Sequence, residues 1–320
     1  MHGAGNDFIL IDDRNMRFST ADNLWIKQVC SPHNGIGAEG LILLQPSEEA
    51  SFLMRFFNPD GSEADMCGNG LRCAARLAYD LGIVEKKMTI KTRAGILKAA
   101  IMENGVRVTM PLSSGTRLNF PVSVAGEAWA EPCEARSDSS LRRFGTRASE
   151  RAKNAIPPCG KPQGIAYSAV VKPLATKAGL AKKGQSIMCN FINTGVPHVV
   201  VETDNLETID LQHVGPLLRR HKYFAPQGAN VDYMRITGGH SLTVRTYERG
   251  VEAETLACGT GMTACAIIAA LLDKVAPPVQ VTCRHGDTLE VDFKRSGDNV
   301  EDITLLGPVA HVFQGEIFYP

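Results

Sequence analysis

The chain has 320 residues, 44% of them apolar and 21% charged, a composition that suits a globular protein and excludes a chain disordered throughout. Its 34 basic residues balance 34 acidic ones, so no overall field steers it toward nucleic acid or an anionic membrane, and a small neutral or zwitterionic ligand suits it better. No apolar run reaches the roughly 18 residues of a membrane span, and MHGAGNDFIL lacks the basic and apolar regions of a secretory leader, so a cytoplasmic location is expected.

In chain order, β-branched or alternating apolar runs predict strands at 52–57, 88–92, 96–102 and 106–110, the later three separated by Gly or Asn. Between the first and second of these, GNGLRCAARLAYDLG (68–82) carries apolar residues at helical spacing, with Gly82 as its stop. A second series of strands is predicted at 198–202, 231–236, 241–247, 279–283 and 288–293, and it too is interrupted by one helical segment, GTGMTACAIIAALLDK (259–274). The chain therefore reads as a duplication of two β-rich halves with one principal helix each. The intervening segment, about 125–180, is rich in Ala, Ser, Lys, Arg, Pro and Gly; its centre, RSDSSLRRFGTRASERAK, holds six basic residues against two acids and is read as a solvated insertion.

Nine cysteines (30, 67, 73, 133, 159, 189, 258, 265 and 283) are an odd number in a chain without a secretion signal, which favours reduced thiols over disulfides. No Cys-x-x-Cys pair occurs, so no metal is expected. Two of the nine have a shared context. Cys67 opens CGNG and Cys258 opens CGTG, 191 positions apart, each at a helix entrance and each preceded four residues upstream by an acid, Glu63 and Glu254. A helix N-terminus presents unpaired amides and the positive end of its dipole, a setting that acidifies a thiol. The glycines let the backbone approach a ligand, whose carboxylate the amides can cradle. One such motif suggests a nucleophilic cysteine; two facing each other across a cleft suggest a pair in which one thiolate takes a proton from a carbon and the opposite thiol returns one, as in a racemase or epimerase. Cys73 and Cys265, inside the helices, are read as buried small hydrophobes.

With these residues in hand, the chain resembles the diaminopimelate epimerase family. The matching stretches are MHGAGNDFILID, NPDGSEADMCGNGLRC, NTGVPH, NVDYMRI and TYERGVEAETLACGTG, in family order over most of the chain. The resemblance implies an α/β (α+β) fold of two pseudo-symmetric lobes, each a strongly curved, barrel-like, mainly antiparallel sheet around a central helix, with the active site between them. The expected N-terminal lobe is 1–115, rejoined by a final strand over about 307–320, and the C-terminal lobe is 116–306 with the 125–180 insertion. It also implies interconversion of LL- and meso-2,6-diaminopimelate, in lysine and peptidoglycan precursor synthesis, by a homodimer without a cofactor.

Carried over position by position, Cys67 and Cys258 match the family's acid/base pair, and Glu248 and His198 fall where residues assist catalysis. Asn6, Asn58, Gly68, Asn69, Asn230, Glu248, Arg249, Gly259 and Thr260 match substrate-contacting positions. Val196 stands where the family commonly has Asn before Pro, so Asn193 is the candidate in its place. The rival readings are a cofactor-independent racemase of another amino acid on the same fold, and a thiol redox or metal-binding protein.

Overall fold

The structure is a computed structural model and describes residues 1–19, 22–124 and 186–317. In chain order its elements are strands His2–Gly3 (β1), Asn6–Asp7 (β2) and Ile9–Asp12 (β3), helix Asn23–Cys30 (α1), strands Leu41–Gln45 (β4), Phe52–Phe57 (β5) and Glu63–Ala64 (β6), helix Gly68–Asp80 (α2), and strands Lys87–Thr92 (β7), Gly95–Met102 (β8), Gly105–Thr109 (β9) and Ser114–Ser123 (β10). They continue with strands Ser186–Asn193 (β11) and Pro197–Glu202 (β12), helix Leu211–Arg219 (α3), strands Asn230–Gly238 (β13), Ser241–Glu248 (β14) and Ala253–Thr255 (β15), helix Gly259–Leu271 (α4), and strands Val279–Thr282 (β16), Thr288–Ser296 (β17) and Asn299–Gly307 (β18).

The strand pairing repeats. β3 is parallel to β4, β4 antiparallel to β5, β5 parallel to β7, and β7, β8 and β9 are successively antiparallel. β12, β13, β14, β16, β17 and β18 follow in the same order and sense. β9 and β18 pair antiparallel, with Thr109 opposite Thr304, so the two series join into one sheet. This is the mixed α+β, two-lobe architecture expected from the sequence, a large sheet with few helices.

The helices repeat as well. α1 and α3 each start on an aspartate whose carboxylate accepts from the third amide, Asp22 from Trp25 and Asp210 from His213. α2 and α4 each span 13 residues at the 191-residue offset of the two cysteines. Both end in the same hydrogen-bonded turn: Gly82 and Ile83 donate to Tyr79 and Ala78, and Asp273 and Lys274 donate to Ala270 and Ala269. Gly82 has φ +68°, as its reading as a helix stop requires, while Asp273 takes the left-handed position at φ +58°. α4 is apolar all round and buried everywhere except Thr260, which fits a helix enclosed by its own sheet. α2 buries Leu71, Cys73, Ala74, Ala75 and Ala78 and turns the Arg76–Asp80 ion pair to solvent. Both helices contribute to one continuous core, and α1 and α3 cover smaller clusters of their own.

One expectation ends differently. β18 itself pairs with β9 of the first series, and in place of the expected final strand over 307–320 the described residues after Gly307 form only an isolated bridge between Ala310 and His2. Pro308 lacks a ladder donor and, beyond the paired Ala310, residues 311–317 are exposed, so the pairing extends no further. The insertion expected at 125–180 lies outside the described residues; it is flanked by β10 and β11, which pair antiparallel up to Ser123 and Ser186. Among the described residues no helix is long and apolar enough to cross a membrane.

Candidate active site

Each principal helix is entered from a short hairpin pinned by an arginine. Arg55 on β5 makes a two-pronged pair with Glu63 on β6, both contacts 2.8 Å, and Arg245 on β14 does the same with Glu254 on β15 at 2.7 and 2.9 Å. The acids upstream of the cysteines thus brace the approach to each helix. Four residues later the chain reaches Cys67 or Cys258 in extended conformation, and neither side chain caps its helix by a hydrogen bond. The first-turn amides stay available beside each sulfur, the arrangement that holds an anion.

Around Cys67 the thiol approaches Asn6 Oδ1 at 3.8 Å. Asn69 donates to the same oxygen at 3.2 Å and to the Ala257 carbonyl at 3.3 Å. Ala257 precedes Cys258, so one amide side chain ties the first helix entrance to the second. The two entrances abut closely enough that a Cβ on Gly259 would lie 3.1 Å from Asn69 Oδ1.

Around Cys258, only 7% exposed, the Thr260 hydroxyl lies 3.4 Å from the sulfur and 3.0 Å from His198 Nε2. His198 Nδ1 is 2.6 Å from Asp232 Oδ2, both side chains fully buried, and Asp232 Oδ1 accepts from Thr246 at 2.7 Å. Asn230 Nδ2 lies 3.4 Å from His198 Nε2, while its carbonyl accepts the Arg249 amide at 2.8 Å. Thr255 donates to Glu248 at 2.6 Å, and Thr194 donates to the Thr260 carbonyl at 3.0 Å.

The electrostatics correct one expectation. Burial pushes the Cys67 thiol up to about 11, and Glu248 adds to the rise, while the Gly70 and Asn69 amides and Arg72 pull the other way. Burial, Glu248 and Asp232 raise Cys258 well above its ordinary value against the pull of Thr260 and the Gly261 amide. The helix entrances act in the expected direction, but desolvation of a thiolate outweighs them. Glu248 acts on both sulfurs. Burial raises its own pKa, opposed by hydrogen bonds from Thr255 and Cys258 and by His198. Arg249 has no acidic partner among the described residues, and burial together with Arg219 lowers its pKa.

Of the residues singled out in the sequence, Asn6, Cys67, Gly68 and Asn69 form one side of this cluster and His198, Asn230, Glu248, Arg249, Cys258, Gly259 and Thr260 the other. Asn58 is engaged in its own turn, donating to Ser62 Oγ at 3.0 Å, and Asn193 accepts from the Gly195 amide at 3.0 Å; no hydrogen bond joins either to the cluster. The sequence alone does not single out Asp232 and Arg72. A lone acid in the apolar strand VDYMRI and a lone arginine on the buried face of an Ala-rich helix were the available signals. Cys73 and Cys265 are buried as expected. Among the described residues no group of His, Cys, Asp and Glu is placed to hold a metal ion.

A family model described as diaminopimelate epimerase matches residues 1–114 and 190–312, which leaves out the insertion and takes in every residue of the cluster. The chain belongs to the diaminopimelate epimerase family. It is an isomerase family, and this member is 35% identical to the diaminopimelate epimerase of Aquifex aeolicus over 99% of its own length and 96% of that protein. It is 34% identical to that of Chlorobaculum tepidum over 99% of both chains. Its fold is shared by a Bacillus anthracis phenazine biosynthesis protein of the PhzF family (TM-score 0.62, 16% identity, 96% of this chain and 92% of that one). A hydroxyproline epimerase from Agrobacterium vitis shares it too (TM-score 0.58, 15% identity, 96% and 87%).

Proposed function

We propose that this epimerase interconverts LL- and meso-2,6-diaminopimelate by a two-base proton transfer, with Cys67 and Cys258 as the alternating base and acid. The observation that carries the reading is the pair of uncapped helix entrances, each opened by a cysteine and linked through Asn69. Their amides stabilise the reacting α-carboxylate as the α-proton leaves and negative charge moves onto it. A bound α-ammonium offsets the burial and the Glu248 charge that hold both thiols neutral in the free protein, so base strength appears when substrate arrives. His198, through Thr260, and Glu248, by its own hydrogen bond with the thiol, position and polarise Cys258.

Arg249 is the natural partner for the distal carboxylate, since a half-buried guanidinium without an acidic neighbour favours an anionic ligand. Asn6, Asn69 and Asn230 orient the amino-acid heads, and Asn58 and Asn193 join them when the lobes close on substrate. The lobe division near residue 115 is part of the same proposal and is supported by the repeated strand series. A cytoplasmic homodimer working in lysine and peptidoglycan precursor synthesis is the setting this reading expects. Oxidation joining Cys67 to Cys258 would abolish activity, and reductant would restore it.

The test is turnover by the purified chain, without added cofactor, of LL-diaminopimelate beside amino acids with a single head. Efficient epimerisation of diaminopimelate alone supports the reading; equal turnover of proline or alanine would favour the broader racemase, and no turnover of any would refute it.

A further inference from the structure

The duplication is broken behind the two cysteines. In the second half His198, Asp232 and Thr246 form a buried polar trio on β12, β13 and β14. The matching register positions on β3's approach, β4 and β5 are Phe8, Ile42 and Phe56, an apolar trio in which the two rings meet edge to face at 5.9 Å. The equivalence is geometric: a Cβ on Gly70 of α2 would strike Ile42, and one on Gly261 of α4 would strike Asp232. Two residues further along the helices the exchange reverses, with Arg72 on α2 where α4 has Thr263.

Arg72 is fully buried, and its Nε and Nη1 have no partner among the described residues. Its one hydrogen bond runs from Nη2 to Asn69 Oδ1 at 2.9 Å. A guanidinium only donates, so this bond fixes the orientation of the Asn69 amide and points its nitrogen at Asn6 and Ala257. Room for it comes from Gly3 and Gly307, whose added Cβ atoms would each lie 3.2 Å from it. Burying a cation with two empty donors is costly and calls for a reason.

We propose that the two thiols, both neutral at rest, are unequal, with Arg72 making Cys67 the more readily ionised and so the first base, and the Asp232–His198 pair keeping Cys258 the harder to ionise and so the acid. This rests on the two-cysteine reading above. Arg72 and Asp232 are positioning residues that act through the cysteines. The charged and titratable groups acting on Cys67 are Glu248, Arg72 and Cys73, and those acting on Arg72 are Cys73, Cys283 and Asp287 besides Cys67. Those acting on Cys258 are Glu248, Asp232 and Cys265, the counterpart of Cys73 in the second helix. Glu248 bears on both sulfurs, so the difference between them lies with Arg72 and Asp232.

The experiment follows alkylation of the Cys67 and Cys258 peptides of the full chain by iodoacetamide across pH, read by mass spectrometry. The midpoint of each rate curve reports ionisation whatever the accessibility. Cys67 is expected to ionise at least about one pH unit below Cys258. Arg72→Met should raise the Cys67 midpoint and leave Cys258 in place, Arg72→Lys should restore it, and Asp232→Asn should lower the Cys258 midpoint alone. A purely structural arginine would lower the melting temperature without moving either midpoint. Coincident or reversed wild-type midpoints, or an unmoved Cys258 in Asp232→Asn, overturn the proposal even if the Arg72 variants fail to fold. Activity of Cys67→Ser separates the two claims: retained epimerisation refutes the two-cysteine reading, whereas an inactive variant with coincident wild-type midpoints refutes only the asymmetry.

Discussion

Gly70 and Gly261 hold equivalent places in α2 and α4 but face different neighbours. A methyl group on Gly70 meets the tip of Ile42 at 2.8 Å, a flexible end that can turn aside, whereas on Gly261 it meets the Asp232 carboxylate with Thr246 at 3.2 Å behind. Gly70→Ala is expected to change stability by less than about 1 kcal/mol, because relief of glycine's backbone entropy offsets the crowding. Gly261→Ala should cost about 2–3 kcal/mol by chemical denaturation and should also lower turnover, since it displaces the carboxylate that holds His198. Equal effects would mean that the two helix entrances are supported alike. Arg249→Met is expected to raise KM for diaminopimelate about tenfold to a hundredfold, the worth of a charge-assisted hydrogen bond. An unchanged KM would remove Arg249 from distal recognition.

The hairpins that deliver the cysteines depend on their arginine–glutamate pairs to different degrees. Arg245 and Glu254 are the more buried pair, and Arg245 also donates to the Leu206 and Ile209 carbonyls at 2.8 and 2.9 Å. Arg245→Met is therefore expected to destabilise by about 2–4 kcal/mol and Arg55→Met by about 1–2 kcal/mol, measured by urea denaturation. The reverse order would show that burial does not set their worth. These elements also mark what sequence could show. The two CGxG helices and their flanking strands were legible because Gly punctuates them and their apolar spacing is regular. β4, LILLQ, is a continuous apolar run that periodicity cannot assign, and α1 is two turns long. α3 carries Gly215 and Pro216, residues that argue against a helix; the chain accepts them because Gly215 packs directly on Tyr247, where no side chain would fit.

Across the whole molecule, the buried thiols link stability to pH. Burial moves Cys30 up to about 11 and Cys73 and Cys189 up to about 12, from an ordinary 9.0. A thiol whose folded pKa is raised stabilises fully below its unfolded value, and that stabilisation is lost as pH climbs toward the folded value. The melting temperature should hold steady up to about pH 8.5 and fall through about pH 11, with a shallower fall in Cys189→Ala; a flat profile would mean that these thiols ionise freely in the fold. The duplication was readable from the spacing of Cys67 and Cys258, and most of the cluster around them from the family resemblance. What breaks the symmetry was not, because Arg72 and Asp232 gain meaning only when the fold joins one to Asn69 and the other to His198. The opposition of those sulfurs is tested most directly by epimerisation of LL-diaminopimelate in deuterated water, sampled before equilibrium. Deuterium should enter the meso product while recovered LL substrate stays unlabelled, and Cys67→Ser and Cys258→Ser should each lose at least about a hundredfold in rate. Label appearing equally in substrate and product, or either serine variant converting at the wild-type rate, would contradict the two-base account.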